Sequence, residues 1–384
     1  MISRRAWLAS LALLGAGLAA GCGSQAAPVT GPGLTVVTAP LPTSLVTAQG
    51  TWAVAVMGGS AASDDDFWQL FVRPAGASRW TLVTPEGVAD NGGLVATGGA
   101  RGTSLLVGFR PSQGLAFSPL AASSDAGKNW TPGLLDADLA DVPDALAVAA
   151  SGQALALLHS GSIEQAPNAA AAAAGQWSPV TTLRALAASA PGQACGLVAV
   201  NAVSFGINDT PMAAGSCARR GVAGVFAAND GTWQAAGPAL PAAFGGDQVQ
   251  VLGLAGTPGG TAALMAAGTA LVAAWSDGAG WTVSAPVAGG AVVASGFGPT
   301  GGVWVLLGDG RAEAIGGTGG AWRALPAVPA GTQTLAPVTG GGYDALAVSG
   351  ARLTVWRLGA ASAARVSWVR VQVINVPIEY GSSS

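Results

Sequence analysis

Side chains able to do chemistry are scarce in this chain, and the scarcity narrows the functions open to it. His159 is the only histidine in 384 residues, so a multi-histidine metal centre cannot be built within one chain. Asp136, Asp138, Asp141 and Asp144 are close enough in sequence to offer oxygen ligands to Ca2+. Their spacing lacks the glycine of an EF-hand-like loop, so a solvated connection is the plainer reading and no other cofactor is expected. Only two tyrosines exist, Tyr343 and Tyr380, and there is one lysine, Lys128. A net charge of −3 with scattered arginines provides no basic stripe to neutralise phosphates, which argues against nucleic acid as a partner. No catalytic set stands out.

The three cysteines divide into one and two. Arg4 and Arg5 precede an apolar run from Ala6 to Ala20, which ends in Leu18-Ala19-Ala20-Gly21-Cys22. That ending resembles a bacterial lipobox, with Ala19 where an aliphatic residue is usual. The resemblance implies cleavage after residue 21, a lipid on Cys22 and an extracytoplasmic, membrane-anchored protein. Ser3-Arg4-Arg5-Ala6-Trp7-Leu8 also resembles a twin-arginine export signal; general secretion stays open beside it. An ordinary signal peptide with a chance cysteine is the competing reading. Residues 22–33, with Pro28 and Pro32 and no apolar periodicity, read as a flexible tether. Cys195 and Cys217 remain, flanking a hairpin of Gly196–Phe205 and Pro211–Ser216. In an exported compartment this even remainder points to one structural disulfide, because a redox-active pair would sit closer together.

Those groups need a scaffold, and tryptophan spacing identifies it. Trp80, Trp130, Trp177, Trp233, Trp281, Trp322 and Trp368 follow one another at intervals of 50, 47, 56, 48, 41 and 46 residues. Such a period marks repeats of a four-stranded sheet, the blade of a β-propeller. Each unit reads as strands A to D from the central axis outward, with Trp opening D. The units take residues 43–86, 92–135, 144–183, 195–237, 249–287, 292–327 and 334–374. Glycine doublets such as Gly259-Gly260 and Gly301-Gly302 fall at the A–B turns. Blades stack face to face, which explains a mean hydropathy of +0.48 and 9% charge in a chain without a spanning segment after residue 22. The expectation is all-β: a seven-bladed propeller over 34–375, then a tail at 376–384. Leu34-Thr35-Val36-Val37 is a leftover strand, expected to pair beside the last blade.

One segment is more specific. Ser123-Ser124-Asp125-Ala126-Gly127-Lys128-Asn129-Trp130 matches the Asp-box pattern Ser-x-Asp-x-Gly-x-x-Trp, and partial copies lie at Ser276–Trp281 and Asn229–Trp233. Ser123, Asp125, Gly127 and Trp130 are structural in that motif: the carboxylate accepts backbone N–H groups across a turn, and the ring packs between sheets. Kelch units share the glycine doublets and the period, and the intact motif decides against them. The chain therefore resembles the Asp-box (BNR, sialidase-like) propellers, a group of carbohydrate-active enzymes, receptors and assembly factors. A sialidase needs an arginine cluster, a Tyr–Glu nucleophile pair and an acidic general acid. Tyr343 follows an A–B turn, Tyr380 is in the tail, and Phe109-Arg110-Pro111 lacks an isoleucine of the corresponding element. A two-carboxylate hydrolase stays open only because any two loop acids are able to converge.

In a propeller the B–C and D–A connections share one face. Asp64 to Asp66, Arg110, His159, Arg219, Arg220, Asp309, Arg311 and Arg352 fall on B–C loops, and Asp136 to Asp144 with Asp247 on D–A loops. That concentration makes this face the expected contact surface, although loops are polar in any protein. The reading is a membrane-anchored, monomeric binding or assembly module for protein or glycan, and more a binder than an enzyme; the alternative is a carbohydrate-active hydrolase.

Overall fold

The computed structural model describes residues 44–58, 66–85, 94–98, 104–109, 120–131, 143–257, 259–359 and 367–376. The leader, Cys22, the tether, Leu34 to Val37, Asp64, Asp65, Arg110, Asp136, Asp138, Asp141, Tyr380 and most of the tail lie outside these residues. Strands dominate, and they run as consecutive antiparallel meanders. The first is β1 (Ser44–Thr47), β2 (Gly50–Gly58), β3 (Asp66–Pro74) and β4 (Thr81–Leu82). The second is β5 (Leu94–Gly98), β6 (Leu105–Phe109) and β7 (Leu120–Ser123), with Thr131 bridging to Ala122 where a fourth strand is expected. The third is β8 (Ala145–Val148), β9 (Ala154–Leu157), β10 (Ser162–Ala166) and β11 (Ser178–Thr182). The fourth is β12 (Leu197–Phe205), β13 (Pro211–Cys217), β14 (Gly224–Asn229) and β15 (Thr232–Ala235).

The fifth meander is β16 (Val249–Thr257), β17 (Gly260–Ala267), β18 (Ala270–Ser276) and β19 (Trp281–Val283), with β20 (Val287–Ala288) also on β18. The sixth is β21 (Val292–Phe297), β22 (Val303–Leu307), β23 (Ala312–Ile315) and β24 (Arg323–Ala324). The last is β25 (Thr332–Pro337), β26 (Tyr343–Ser349), β27 (Arg352–Leu358) and β28 (Trp368–Asn375).

Period-2 alternation explains how these sheets pack. In β22, Val303, Val305 and Leu307 face the fifth sheet, while Trp304 and Leu306 face the last. In β2, Trp52 and Val54 pack on the second sheet, and Ala53, Ala55 and Met57 on the last. Continuous apolar runs therefore mean burial on both faces. A separate cluster fills each gap between sheets successive in the chain, and one joins the last sheet to the first through Trp80, Leu346, Leu353 and Val376.

The tryptophans carry the second layer of contact. Trp130 donates its indole N–H to Val83 O (3.1 Å), three residues past the preceding Trp80. Trp281 reaches Ala236 O (2.7 Å), Trp322 reaches Ser284 Oγ (3.2 Å) and Trp368 reaches Pro326 O (3.2 Å), each three or four residues past its predecessor. Each ring thus locks the start of one outermost strand to the end of the previous one. Trp177 departs, donating instead to Ala172 O of its own unit (2.9 Å).

Among the described residues three α-helices interrupt the β pattern. The alanine run forms α1 (Ala169–Ala173), capped by Asn168, and it closes the gap between the second and third sheets. Thr182 caps α2 (Leu183–Ala188) and Ser189 caps α3 (Ala190–Cys195), which ends at Gly196 with φ 67°. Glycine there accepts the left-handed conformation without a Cβ clash. The Cys195–Cys217 disulfide then ties α3 to β13, with a Cα–Cα distance of 5.3 Å. Closing that loop contributes on the order of 3 kcal/mol through the unfolded chain.

A shared irregularity marks four of the innermost strands. Register slips at Asn201 in β12 (which also slips at Val198), Leu252 in β16, Val293 in β21 and Gln333 in β25. A bulge re-aims the side chain it frees. Asn201 Nδ2 donates to Val251 O in the next sheet, and Gln333 pairs through both amide atoms with the backbone of Val56.

Candidate functional site

Backbone bonds sort the connections onto two ends of the sheets. Gly221 N donates to Asp247 O (2.8 Å), Gly268 N to Gln248 O (3.0 Å) and Gly308 N to Ala291 O (2.8 Å). Each joins a β-turn between second and third strands to the connection between two sheets. Arg220 Nη1 adds a bond to Gly246 O (2.7 Å). His159, in the turn between β9 and β10, places Nδ1 3.5 Å from Asp144 Oδ2, just before β8. Gly58 N meets Gly350 O (3.2 Å), linking the first and last sheets at this same end.

At this end the described polar residues stand in local groups. His159 is 82% exposed beside Asp144. Arg311 Nε donates to Asp309 Oδ2 (2.7 Å) within one turn, where the Arg311 backbone N–H and then its side chain hold the Asp309 carboxyl below its ordinary range. Arg219 N donates to Cys195 O (3.1 Å), so the disulfide-bonded helix end positions its backbone. Arg352 opens β27 and is exposed. Of the four aspartates considered for calcium, Asp144 alone is described, and among the described residues no group of three His, Cys, Asp or Glu side chains is placed to hold a metal ion.

The opposite end carries compact turns. Asp125 accepts the Asn129 backbone N–H (2.9 Å) and its side-chain amide, which hold its carboxyl below the usual range. Ser123 Oγ accepts Gly127 N (3.0 Å) and donates to Asp125 Oδ1 (3.0 Å), while Ala126 and Gly127 adopt φ of 63° and 77°. Gln49, from the β1–β2 turn, brackets this turn by accepting Ala126 N (3.1 Å) and donating to Ser124 O. Asp277 makes a similar turn, accepting Ala279 N and Gly280 N, which lower its pKa in that order. Asn229-Asp230-Gly231 is different: Asp230 and Gly231 have φ of 48° and 74°, a two-residue hairpin turn between β14 and β15.

The strongest polar constellation was not among the expected site residues, and it is buried. Asp344, on β26, is fully enclosed. Its Oδ2 accepts Arg73 Nη1 (2.6 Å), Trp80 Nε1 (2.8 Å) and Arg357 Nη2 (2.9 Å), and its Oδ1 accepts Arg357 Nε (2.7 Å). Arg73 Nη2 continues to Pro337 O (2.7 Å) and Thr51 Oγ1 (3.1 Å), and its guanidinium lies 5.4 Å from the Trp80 ring centroid. Burial lowers the Arg73 pKa while Asp344 pulls it back up; hydrogen bonds to Asp344 raise that of Arg357. Two guanidiniums around one carboxylate, with every partner from the first or last sheet, form a clasp between chain ends rather than a reacting site. The sequence signal was a lone charge inside an apolar run, as in Phe71-Val72-Arg73 and Asp344-Ala345-Leu346.

No family model matches the chain, and no curated protein does. Among solved structures it is similar to YCF48 from Cyanidioschyzon merolae, at 16% identity over 80% of this chain and 94% of that one, with a TM-score of 0.47. A structure titled YCF48 bound to D1 peptide shares 14% identity over 80% and 90%, with a TM-score of 0.45. Apo AztD from Citrobacter koseri shares 11% identity over 87% and 86%, with a TM-score of 0.43. At such scores the functional reading rests on this chain's own residues.

Proposed function

We propose that this chain is a seven-bladed Asp-box β-propeller that acts as a binding or assembly module, held at the extracytoplasmic face of a membrane by a lipid on Cys22. The supporting observation is the cyclic order of the inter-sheet clusters: first on second, through to sixth on last, and last on first. That order supports a reading in which the described connections gather at two shared ends. The Asp125 and Asp277 turns use one end for internal hydrogen bonds. The other carries His159 and the arginines Arg219, Arg220, Arg311 and Arg352, whose planar guanidiniums suit bidentate recognition of carboxylates on a protein or glycan. The reading as a binder is supported by the exposed polar side chains that the described surface loops carry at that end, such as His159 and Arg352.

Crosslinking in the native envelope, followed by mass spectrometry of what is captured, identifies the partner. Arg219→Ala and Arg220→Ala are expected to weaken capture at least tenfold, and Lys128→Ala, on the opposite end, to leave it unchanged. Loss confined to Lys128→Ala refutes the face. Turnover of chromogenic glycosides by the purified protein refutes the binding-only reading.

A further inference from the structure

Buried polar atoms without a partner are rare in folded proteins, so each instance points to a bound group or to strain. Among the described residues Ser44 Oγ, Asn201 Oδ1 and Trp304 Nε1 are enclosed with no hydrogen-bond partner. Asn201 stands apart, on an amide that already donates to Val251 O. The other two come together. Strands β1 and β21 meet through a parallel bridge between Ser44 and Gly296, and Gly296 pairs in turn with Trp304 on β22. Ser44, Gly296 and Trp304 thus form one row across three adjacent strands, and residues paired across a sheet point to the same face. Trp304 packs toward the last sheet, and so does Ala53, the β2 partner of Ser44. Strand β25 of that last sheet lies against β1, β2 and β21. The row is closed over: Trp304 is 0% exposed and Ser44 2%.

We infer that this row is a binding site for one internal water molecule, which accepts the Trp304 indole N–H and bonds to the Ser44 hydroxyl. Gly296 makes room for it. A Cβ at residue 296 would lie 2.7 Å from both Nε1 and Cζ2 of Trp304, so the indole lays its N–H edge over β21, the strand that Ser44 bridges. The chemistry of the two groups selects the occupant. An indole nitrogen only donates, whereas a serine hydroxyl donates and accepts, so a molecule able to do both completes the pair. The row itself is Ser, Gly and Trp, with no charge to balance an ion. An enclosed polar gap with two side-chain partners meets the requirement of a buried water, and such waters are costly to remove. The molecule joins the first and sixth sheets at the inner edge of the last. Because it lies within the sheets, the site stands independently of any ligand at the loop end and of a lipid on Cys22.

The test uses the disulfide-bonded full chain with isotope-labelled tryptophan. Trp304→Phe assigns the Trp304 indole resonance by its disappearance, and a magnetisation-transfer cross-peak from that N–H to a long-lived water is expected. Ser44→Ala removes one anchor without adding bulk; it is expected to abolish that cross-peak and leave the other indole resonances in place. A crystal structure at high resolution decides the matter even if Trp304→Phe does not fold. It is expected to show one water at about 3 Å from both Trp304 Nε1 and Ser44 Oγ. A direct Ser44–Trp304 hydrogen bond with no water between, density for an ion or a larger solute, or a Trp304 cross-peak unchanged by Ser44→Ala each overturns the inference.

Discussion

Asp344 shows how much a single residue decides here. Its carboxylate is the only negative group within hydrogen-bonding reach of both Arg73 and Arg357 among the described contacts, and it lies where water cannot replace it. Asp344→Asn keeps the shape and removes the charge, leaving two guanidiniums facing each other across a neutral amide. Breaking a buried pair from one side costs about 3–5 kcal/mol, because the remaining charge stays desolvated. The expected outcome is a loss of that size in urea denaturation, with the m-value unchanged. Asp309→Asn, on an exposed pair with Arg311, is expected to leave the midpoint where it was. A small effect at Asp344 would mean the two arginines find other acceptors, such as Pro337 O and Ser78 O.

Elements were legible to the extent that one residue type served one purpose. Each of the seven tryptophans falls at, or within one residue of, the start of an outermost strand or its bridge, and in four of them a large ring with an N–H spans the gap to the previous sheet. The hairpin flanked by cysteines and the glycine turns were legible for similar local reasons. The helices were not. Their Ala, Gly and Pro content carries no amphipathic period, and only caps such as Ser189 before Ala190-Pro191 mark them. Among the described residues His159, Arg219, Arg220 and Asp309 lie between second and third strands, and sequence spacing could not tell local pairs such as Arg311–Asp309 from a convergent set. The tryptophan lock makes its own prediction. Trp281→Phe keeps most of the ring but strands Ala236 O, at a cost of about 1 kcal/mol. Trp281→Ala also empties the space against its cluster and is expected to cost about 3–5 kcal/mol. Thermal or urea unfolding of the two variants separates the lost hydrogen bond from the lost packing.

At the scale of the molecule the meeting of first and last sheets is built differently from the other joins. At four other joins an indole bonds to the preceding sheet, whereas Trp80, in the first sheet, is gripped from the far end of the chain. Gln372 accepts Trp80 N and donates to Trp80 O (both 2.8 Å), Asp344 accepts its indole N–H, and Gln333 pairs with Val56. Partners up to 292 residues apart explain why none of this was legible beforehand. If these contacts open together, they are coupled energetically rather than independent. Gln372→Leu removes both bonds to Trp80 while preserving side-chain bulk; alone it is expected to cost about 1–3 kcal/mol. Combined with Asp344→Asn, the loss should fall short of the sum by about 0.5–3 kcal/mol, since the join already weakened by one change has less to lose from the other. Trp281→Phe, in a different join, should add to Asp344→Asn within experimental error. Strict additivity of Gln372→Leu with Asp344→Asn would show that the first and last sheets are held by separate local contacts rather than as a unit.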